Sequence, residues 1–454
     1  MKRTPLQSST VGSTVKAVLI GSATALPLMA AAFPAMAQTN DQQIESMQQQ
    51  INELQSKVAN LQSSQTKAAP KGAETLGFKV GNTTLKFGGY VKLDAIYNLN
   101  EDLGPSASPS NINVNASRSD LNQGHFRMHA HQTRLTFDSA TPTGMGTVKG
   151  HVEVDFYGSG GNEVASNSYG PRLRQAYITW NHWLFGQAWS TFSDFHYGTT
   201  LDFNGPVGEI FERQAQIRYT FDLSKASKLA VALENPQGDI RNKAGDIVGP
   251  PVTFWGSDTN PAGSSNPQDQ MPDLIGRYEY NKGPLSFELA ALGRRFKLNG
   301  VSGSDSTMGW GADIGASYAL PTGTTLMATF TGGDGVGRYL YEPFVGDAYV
   351  DNNGDVKALG KWGGTATISQ KLAPKWTANL VYGFARVQSM SGVNSVAGNL
   401  GSVPDKFSDV HANLLYRPVD PLMFGIEYIY SYASYQDGSQ GDANTIQFST
   451  EYDF

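Results

Sequence analysis

Residues Asn82–Asn100, NTTLKFGGYVKLDAIYNLN, decide the fold. Leu85, Phe87, Val91, Leu93, Ala95, Tyr97 and Leu99 share one face of an extended chain, and Lys86, Tyr90, Lys92 and Asp94 share the other. That alternation is the period of a β-strand. A packed sandwich core could not hold the charged face unpaired. The apolar face therefore looks to lipid and the charged face to water, as in a transmembrane barrel. The pattern recurs in Gly309–Leu320, where Trp310, Ala312, Ile314, Ala316, Tyr318 and Leu320 oppose Gly311, Asp313, Gly315 and Ser317. It holds to the last strand, where Ile446, Phe448, Tyr452 and Phe454 oppose Gln447, Ser449, Glu451 and Asp453.

Working outward, sixteen such strands are predicted near 82–100, 124–139, 146–158, 171–181, 183–190, 213–222, 227–235, 272–281, 284–298, 306–320, 323–332, 357–371, 375–390, 405–417, 421–435 and 442–454. Short turns such as Asn281-Lys282-Gly283-Pro284 and Leu320-Pro321-Thr322-Gly323 alternate with longer connections at 101–123, 159–170, 191–212, 236–271, 333–356 and 391–404. That asymmetry belongs to outer-membrane barrels. The expected fold is all-β, a 16-stranded antiparallel transmembrane barrel over 82–454, whose size leaves an aqueous channel.

Composition agrees. Gly is 50 of 454 residues, aromatics are 11% and charged residues only 16%, against roughly a quarter in soluble chains. Beyond the N-terminus no apolar run approaches the roughly 20 residues of a membrane helix. There is no Cys, hence no disulfide, thiolate nucleophile or Cys-ligated zinc.

Residues 1–37 read as a signal peptide: Lys2, Arg3 and Lys16, the apolar Ala17–Ala32, then Ala35-Met36-Ala37 before Gln38. A retained anchor is the alternative, disfavoured by Pro27 and the short apolar stretch. Cleavage moves the formal net charge from −6 to −9, so nucleic acid is excluded as a partner. In 38–62, Ile44, Met47, Ile51, Leu54, Val58 and Leu61 form an a/d seam preceding the barrel by a linker, 63–81. A coiled coil in the periplasm is expected, although fewer than three heptads are marginal alone.

Selectivity is read from two sets. The connection Thr191–Glu212 carries Phe192, Phe195, Tyr197, Leu201, Phe203, Val207, Ile210 and Phe211, too apolar for a solvated loop. Folded into the lumen it would constrict the channel and place Asp194, Asp202, Glu209 and Glu212 near the pore; the alternative is packing over the rim or in a subunit interface. By strand parity Lys86, Lys92, Arg134, Arg218, Arg277, Arg294 and Arg417 point inward. A ring of such cations favours anions, and Arg grips a carboxylate with two hydrogen bonds. Each could instead pair with a wall acid such as Asp94, Glu279, Glu288 or Glu427. Arg172 and Arg174 share a parity with Ala176, Ile178 and Trp180, which leaves their facing open.

No motif asks for a cofactor. His125, Arg127, His129 and His131 share a face, but the interposed Arg127 disfavours a metal. Asp351–Asp355 fits an Asn-Gly turn better than a calcium loop, whose twelfth position would be Gly360 rather than Glu. Gly332–Gly337 matches no phosphate-binding pattern, and no G-x-S-x-G elbow is present. No metal site and no catalytic residues are expected.

Leu173–Tyr177, Phe185–Asp194, Leu201–Pro206 and Arg213–Tyr219 resemble the DcaP-like outer-membrane porins. The order of signal, coiled coil, linker and barrel is similar too, and Tyr452-Asp453-Phe454 resembles the aromatic ending used in barrel assembly. The resemblance implies a homotrimer of barrels in the bacterial outer membrane. It also implies passive diffusion of small hydrophilic solutes, with a bias to small organic anions such as dicarboxylates. Two alternatives stay open: a barrel enzyme of the lipase or protease type, and a structural envelope protein with a plugged barrel. Neutralising Arg218 and Arg294 is expected to shift selectivity towards cations.

Overall fold

The computed structural model describes residues 77–114, 124–158, 164, 166–167, 169–241, 247–248, 266–267, 269–300, 303–351, 353–390 and 403–454. The segments read as signal peptide, coiled coil and most of the linker lie outside the described residues. The end of the linker segment, Gly77–Val80, is a strand paired with Thr83–Lys86.

Sixteen antiparallel staves form the wall. In chain order β1 is Thr83–Asn98, β2 is His125–His129 continued by Arg134–Thr143, β3 is Gly146–Asp155 and β4 is Arg172–Trp180. Then follow β5 Trp183–Trp189, β6 Arg213–Asp222, β7 Ser227–Glu234, β8 Asp273–Lys282, β9 Leu285–Gly300 and β10 Gly303–Ala319. The last six are β11 Thr324–Asp334, β12 Gly360–Ala373, β13 Trp376–Val387, β14 Pro404–Val419, β15 Leu422–Tyr435 and β16 Gln440–Asp453. Each pairs with the next, and β16 closes on β1 from Tyr90↔Asp453 to Asn98↔Thr445. Closure satisfies both edges of the sheet, which lipid requires.

The strands alternate as their sequences do. In β13, Leu380 is 50% exposed while its neighbour Val381 is 0% exposed. Outward Leu, Ile and Phe form the lipid face, and aromatic pairs such as Trp376 with Tyr416, 4.4 Å apart, and Trp183 with Tyr219, 4.7 Å apart, mark the short-turn rim. The inward face is where buried polar groups collect: Asp94, Glu153, Glu288, Asp313, Asp409, His411 and Glu427. β2 is interrupted at Ala130–Thr133 by a turn in which the Thr133 amide donates to the Ala130 carbonyl at 3.0 Å.

Candidate functional site

The connection from β5 to β6 lies inside the wall. Its backbone amides need acceptors there, and inward carboxylates supply them. Glu427 of β15 accepts from the amides of Leu201 at 2.9 Å and Asp202 at 3.1 Å, Asp409 of β14 from Val207 at 2.9 Å, and Glu234 of β7 from Thr191 at 2.6 Å. The Leu201 carbonyl takes Lys92 Nζ at 2.7 Å and Gln447 Nε2 at 3.0 Å. His411 sits between Asp409 and Glu427, 3.0 and 3.1 Å away. Gly383 of β13 permits the approach, since a Cβ there would lie 2.2 Å from the Val207 carbonyl oxygen.

Two further connections join it. In the β11–β12 connection Tyr339, Leu340, Tyr341 and Glu342 are buried, and Tyr341 exchanges backbone hydrogen bonds with Gly208 and Glu209 at 3.0 and 2.8 Å. Lys361 of β12 fastens it through the carbonyls of Gly337, Leu340 and Pro343. From the β1–β2 connection, Ser108 and Ser110 donate to Glu342, and the Ala107 amide donates to Asp202 at 2.9 Å. The sequence places 101–123 and 333–356 among the longer connections without showing that their described parts enter the wall; Tyr339-Leu340-Tyr341 is the available signal for the second. Asp351–Asp355 is a turn, its Asp351 carboxylate accepting from the amides of Asn353 and Asp355 at 2.9 and 3.0 Å.

The expected basic residues are not brought into one ring. Lys92 pairs with Asp94 at 3.2 Å, Arg134 lies 3.7 Å from Glu153, and Arg277 pairs with Glu279 at 2.5 Å. Arg294 is 1% exposed, held by Asp273 and Asp347 at 3.0 Å each and by the carbonyls of Gly335 and Gln237. It fastens loop to wall and is out of reach of a solute. Arg417 sits at the short-turn rim, 3.0 Å from Asp453. Lys86 lines a cavity of about 390 Å³ at the same end with Asp138, Lys149, His151 and Tyr177. Among the described residues, Arg218 and Lys86 have no carboxylate within 4.0 Å.

A second group escaped strand parity. Glu153 of β3 faces Gln175 and Val154 faces Leu173, so Arg174 is an extra residue, a β-bulge. The bulge turns Arg172 and Arg174 inward and then reverses the parity, leaving Ile178 outside. Arg172 binds Asp155 with two nitrogens at 2.9 and 2.6 Å, and Arg174 bridges Glu153 at 2.5 Å and Asp155 at 2.9 Å. Arg213 stands beside them, over Trp189 at 4.5 Å and Phe211 at 4.9 Å, with no carboxylate within 4.0 Å among the described residues and a buried Nη1 lacking any hydrogen-bond partner. Arg134, Arg172 and Arg174 thus share two acids, Glu153 and Asp155, and Arg213 adds a fourth cation beside them.

The loop acids are placed differently from these cations. Asp194, Asp202 and Glu209 are buried and Glu212 is half-buried, 3.7 Å from Arg338. Burial pushes the Asp202 carboxyl up to about 6, against the opposing charge of His411. Burial also raises Glu209 well above the usual range, although the Tyr197 hydroxyl bond offsets part of this, and it raises Glu212 against the pull of Arg338. His129 and His131 stack at 4.2 Å, with His129 Nε2 2.8 Å from the Pro105 carbonyl, a packing role under the first loop.

Comparison with curated protein sequences gave no match. The fold is similar to the outer membrane channel DcaP of Acinetobacter baumannii, with TM-score 0.69 and 24% identity over 83% of this chain and 99% of that one. It is also similar to OmpF of Salmonella typhi in complex with daunomycin, with TM-score 0.51 and 11% identity over 84% and 100%. The family model described as DcaP outer membrane protein matches residues 31–454, and the chain belongs to that family.

Proposed function

We propose that this outer-membrane protein is a passive channel for small hydrophilic solutes, biased to small organic anions such as dicarboxylates. The observation that carries the bias is the imbalance of charge inside the wall. Arg213 and Arg218 have no carboxylate within 4.0 Å among the described residues, whereas Asp202 and Glu209 of the inward loop are buried, with Asp202 taken up by the amides of Ala107 and Asn204. Guanidinium groups grip a carboxylate with paired hydrogen bonds, and the nearby Trp189, Phe203 and Phe211 supply an apolar floor for a carbon skeleton. Three such chains form the working homotrimer, which the family resemblance supports, with 38–62 as a periplasmic coiled coil, which the heptad seam supports although Ile and Val at a with Leu at d would by themselves favour a dimer.

Liposome swelling tests the substrate class: succinate is expected to enter faster than an uncharged solute of the same size, and faster than a diamine. Equal rates would remove the anion bias. The plugged-barrel alternative draws on one observation, the three connections that occupy the lumen, and absence of any swelling would favour it.

The loop acids give a pH dependence. Asp202 loses its proton near 6 in the folded chain, so acidification from pH 7.5 to 5 removes negative charge from the loop. One charge about 10 Å from the path is worth about 0.4 kcal/mol at the dielectric of water, ~twofold in anion preference. Zero-current potentials are expected to move towards the anion limit by about that factor; a move towards the cation limit contradicts the assignment.

A further inference from the structure

Where the inward loop crosses β9 and β10, four side chains from three distant parts of the sequence converge. Asp194 and His196 come from the loop, Glu288 from β9 and Asp313 from β10. One ligand atom each from Asp194, His196 and Glu288 lie within 4.8 Å of one another, and Asp313 is within hydrogen-bonding reach of Asp194. The carboxylates are nearly inaccessible: Asp194, Asp313 and Glu288 are 1%, 4% and 6% exposed. Asp194 Oδ2, Asp313 Oδ2 and Glu288 Oε1 are buried and find no hydrogen-bond donor among the described residues. Their other contacts orient them: Thr331 donates to Asp313 Oδ1 at 2.5 Å, the His196 amide donates to Asp194 Oδ1 at 2.7 Å, and Ser286 Oγ lies 2.8 Å from His196 Nε2. The wall is shaped for this. A Cβ at Gly315 would fall 1.8 Å from Asp194 Oδ2, so only glycine admits the carboxylate.

Three buried acids with orphaned oxygens are costly unless a cation joins them. Among the described residues the guanidinium within 4.0 Å, Arg277, does not: its Nε stays 3.7 Å from Glu288 Oε1 without a hydrogen bond, its Nη2 is taken by Glu279 at 2.5 Å, and Nη1 donates to the Ser193 carbonyl at 3.3 Å, while His196 Nδ1, 2.7 Å from Asp194 Oδ1, reaches only one of the three acids. We propose that Asp194, His196, Glu288 and Asp313 bind a divalent cation that clamps the inward loop to β9 and β10. Three oxygens and one imidazole suit Zn²⁺ or Mn²⁺ rather than Ca²⁺ or Mg²⁺, which take oxygen alone. The Ser286 contact is the outer-shell bond that a ligating imidazole requires. The site was not legible in the sequence, where the only His cluster was His125–His131.

The test uses tag-free, signal-free, full-length barrel, stripped with chelator and titrated with ZnCl₂ by calorimetry. One site per chain is expected, with affinity falling more than about tenfold in His196→Ala and in Asp313→Asn. Co²⁺ added to the unsubstituted protein gives a readout that needs no variant, a visible d–d band displaced by Zn²⁺. Absence of that band, equal Zn²⁺ affinity in wild type and both folded variants, or equal affinity for Ca²⁺ would each overturn the proposal.

Discussion

Replacing Arg213 and Arg218 together by Gln is expected to shift ion selectivity towards cations by about tenfold. At roughly 6 Å from a passing ion, each charge contributes about 0.7 kcal/mol at the dielectric of water, and more where the wall excludes solvent. Neither side chain has a carboxylate within 4.0 Å among the described residues, so removing it strands no partner and the barrel should stay folded. Arg294→Gln is the informative contrast. That residue is enclosed by Asp273 and Asp347, so its loss should leave selectivity unchanged and loosen the β11–β12 connection. Reversal potentials under a salt gradient decide between the two. An unchanged value in Arg213→Gln/Arg218→Gln would show that these side chains do not face the ion path.

The second large effect is at Glu427. Its carboxylate accepts from the amides of Leu201 and Asp202, from Asn413 Nδ2 at 2.7 Å, and lies beside His411. Glu427→Ala strands those donors and leaves His411 with only one of its two acids. Breaking a buried charged pair by truncating one side costs about 3–5 kcal/mol. Much of that would be recovered if the loop let go of the wall, so the folded variant is expected to melt earlier and to conduct more per channel. Glu427→Gln keeps an acceptor oxygen and should fall between. Thermal unfolding in detergent and unitary conductance are the two readouts, and a stable variant with unaltered conductance would mean that the loop is not anchored there.

The wall was legible because a barrel obeys one rule throughout. Leu85 to Leu99 and Ile446 to Phe454 alternate with no exception large enough to hide the period, and each of the sixteen expected strands is present. What parity could not supply were the local exceptions and the long-range partners. Arg172 and Arg174 were ambiguous because one inserted residue reverses the facing halfway along β4. Arg294 lies on the inward face, but nothing in its own strand shows that Asp347, 53 residues on, returns to enclose it. Arg213 lies at the top of β6, where the chain leaves the regular pattern to enter the loop. The apolar residues of Thr191–Glu212 carry a readable signal, since Phe192, Leu201, Phe203, Val207 and Ile210 are buried inside the wall. The same signal in Val336–Tyr341 is masked by the Gly332-Gly333-Asp334-Gly335 run just before it, which resembles a solvent loop.

The most direct test is a planar-bilayer recording of the refolded, signal-free protein in a salt gradient. The expected result is stepwise trimeric opening, a zero-current potential on the anion side, and block by millimolar succinate. A zero-current potential on the cation side with no effect of succinate would contradict the anion-selective channel.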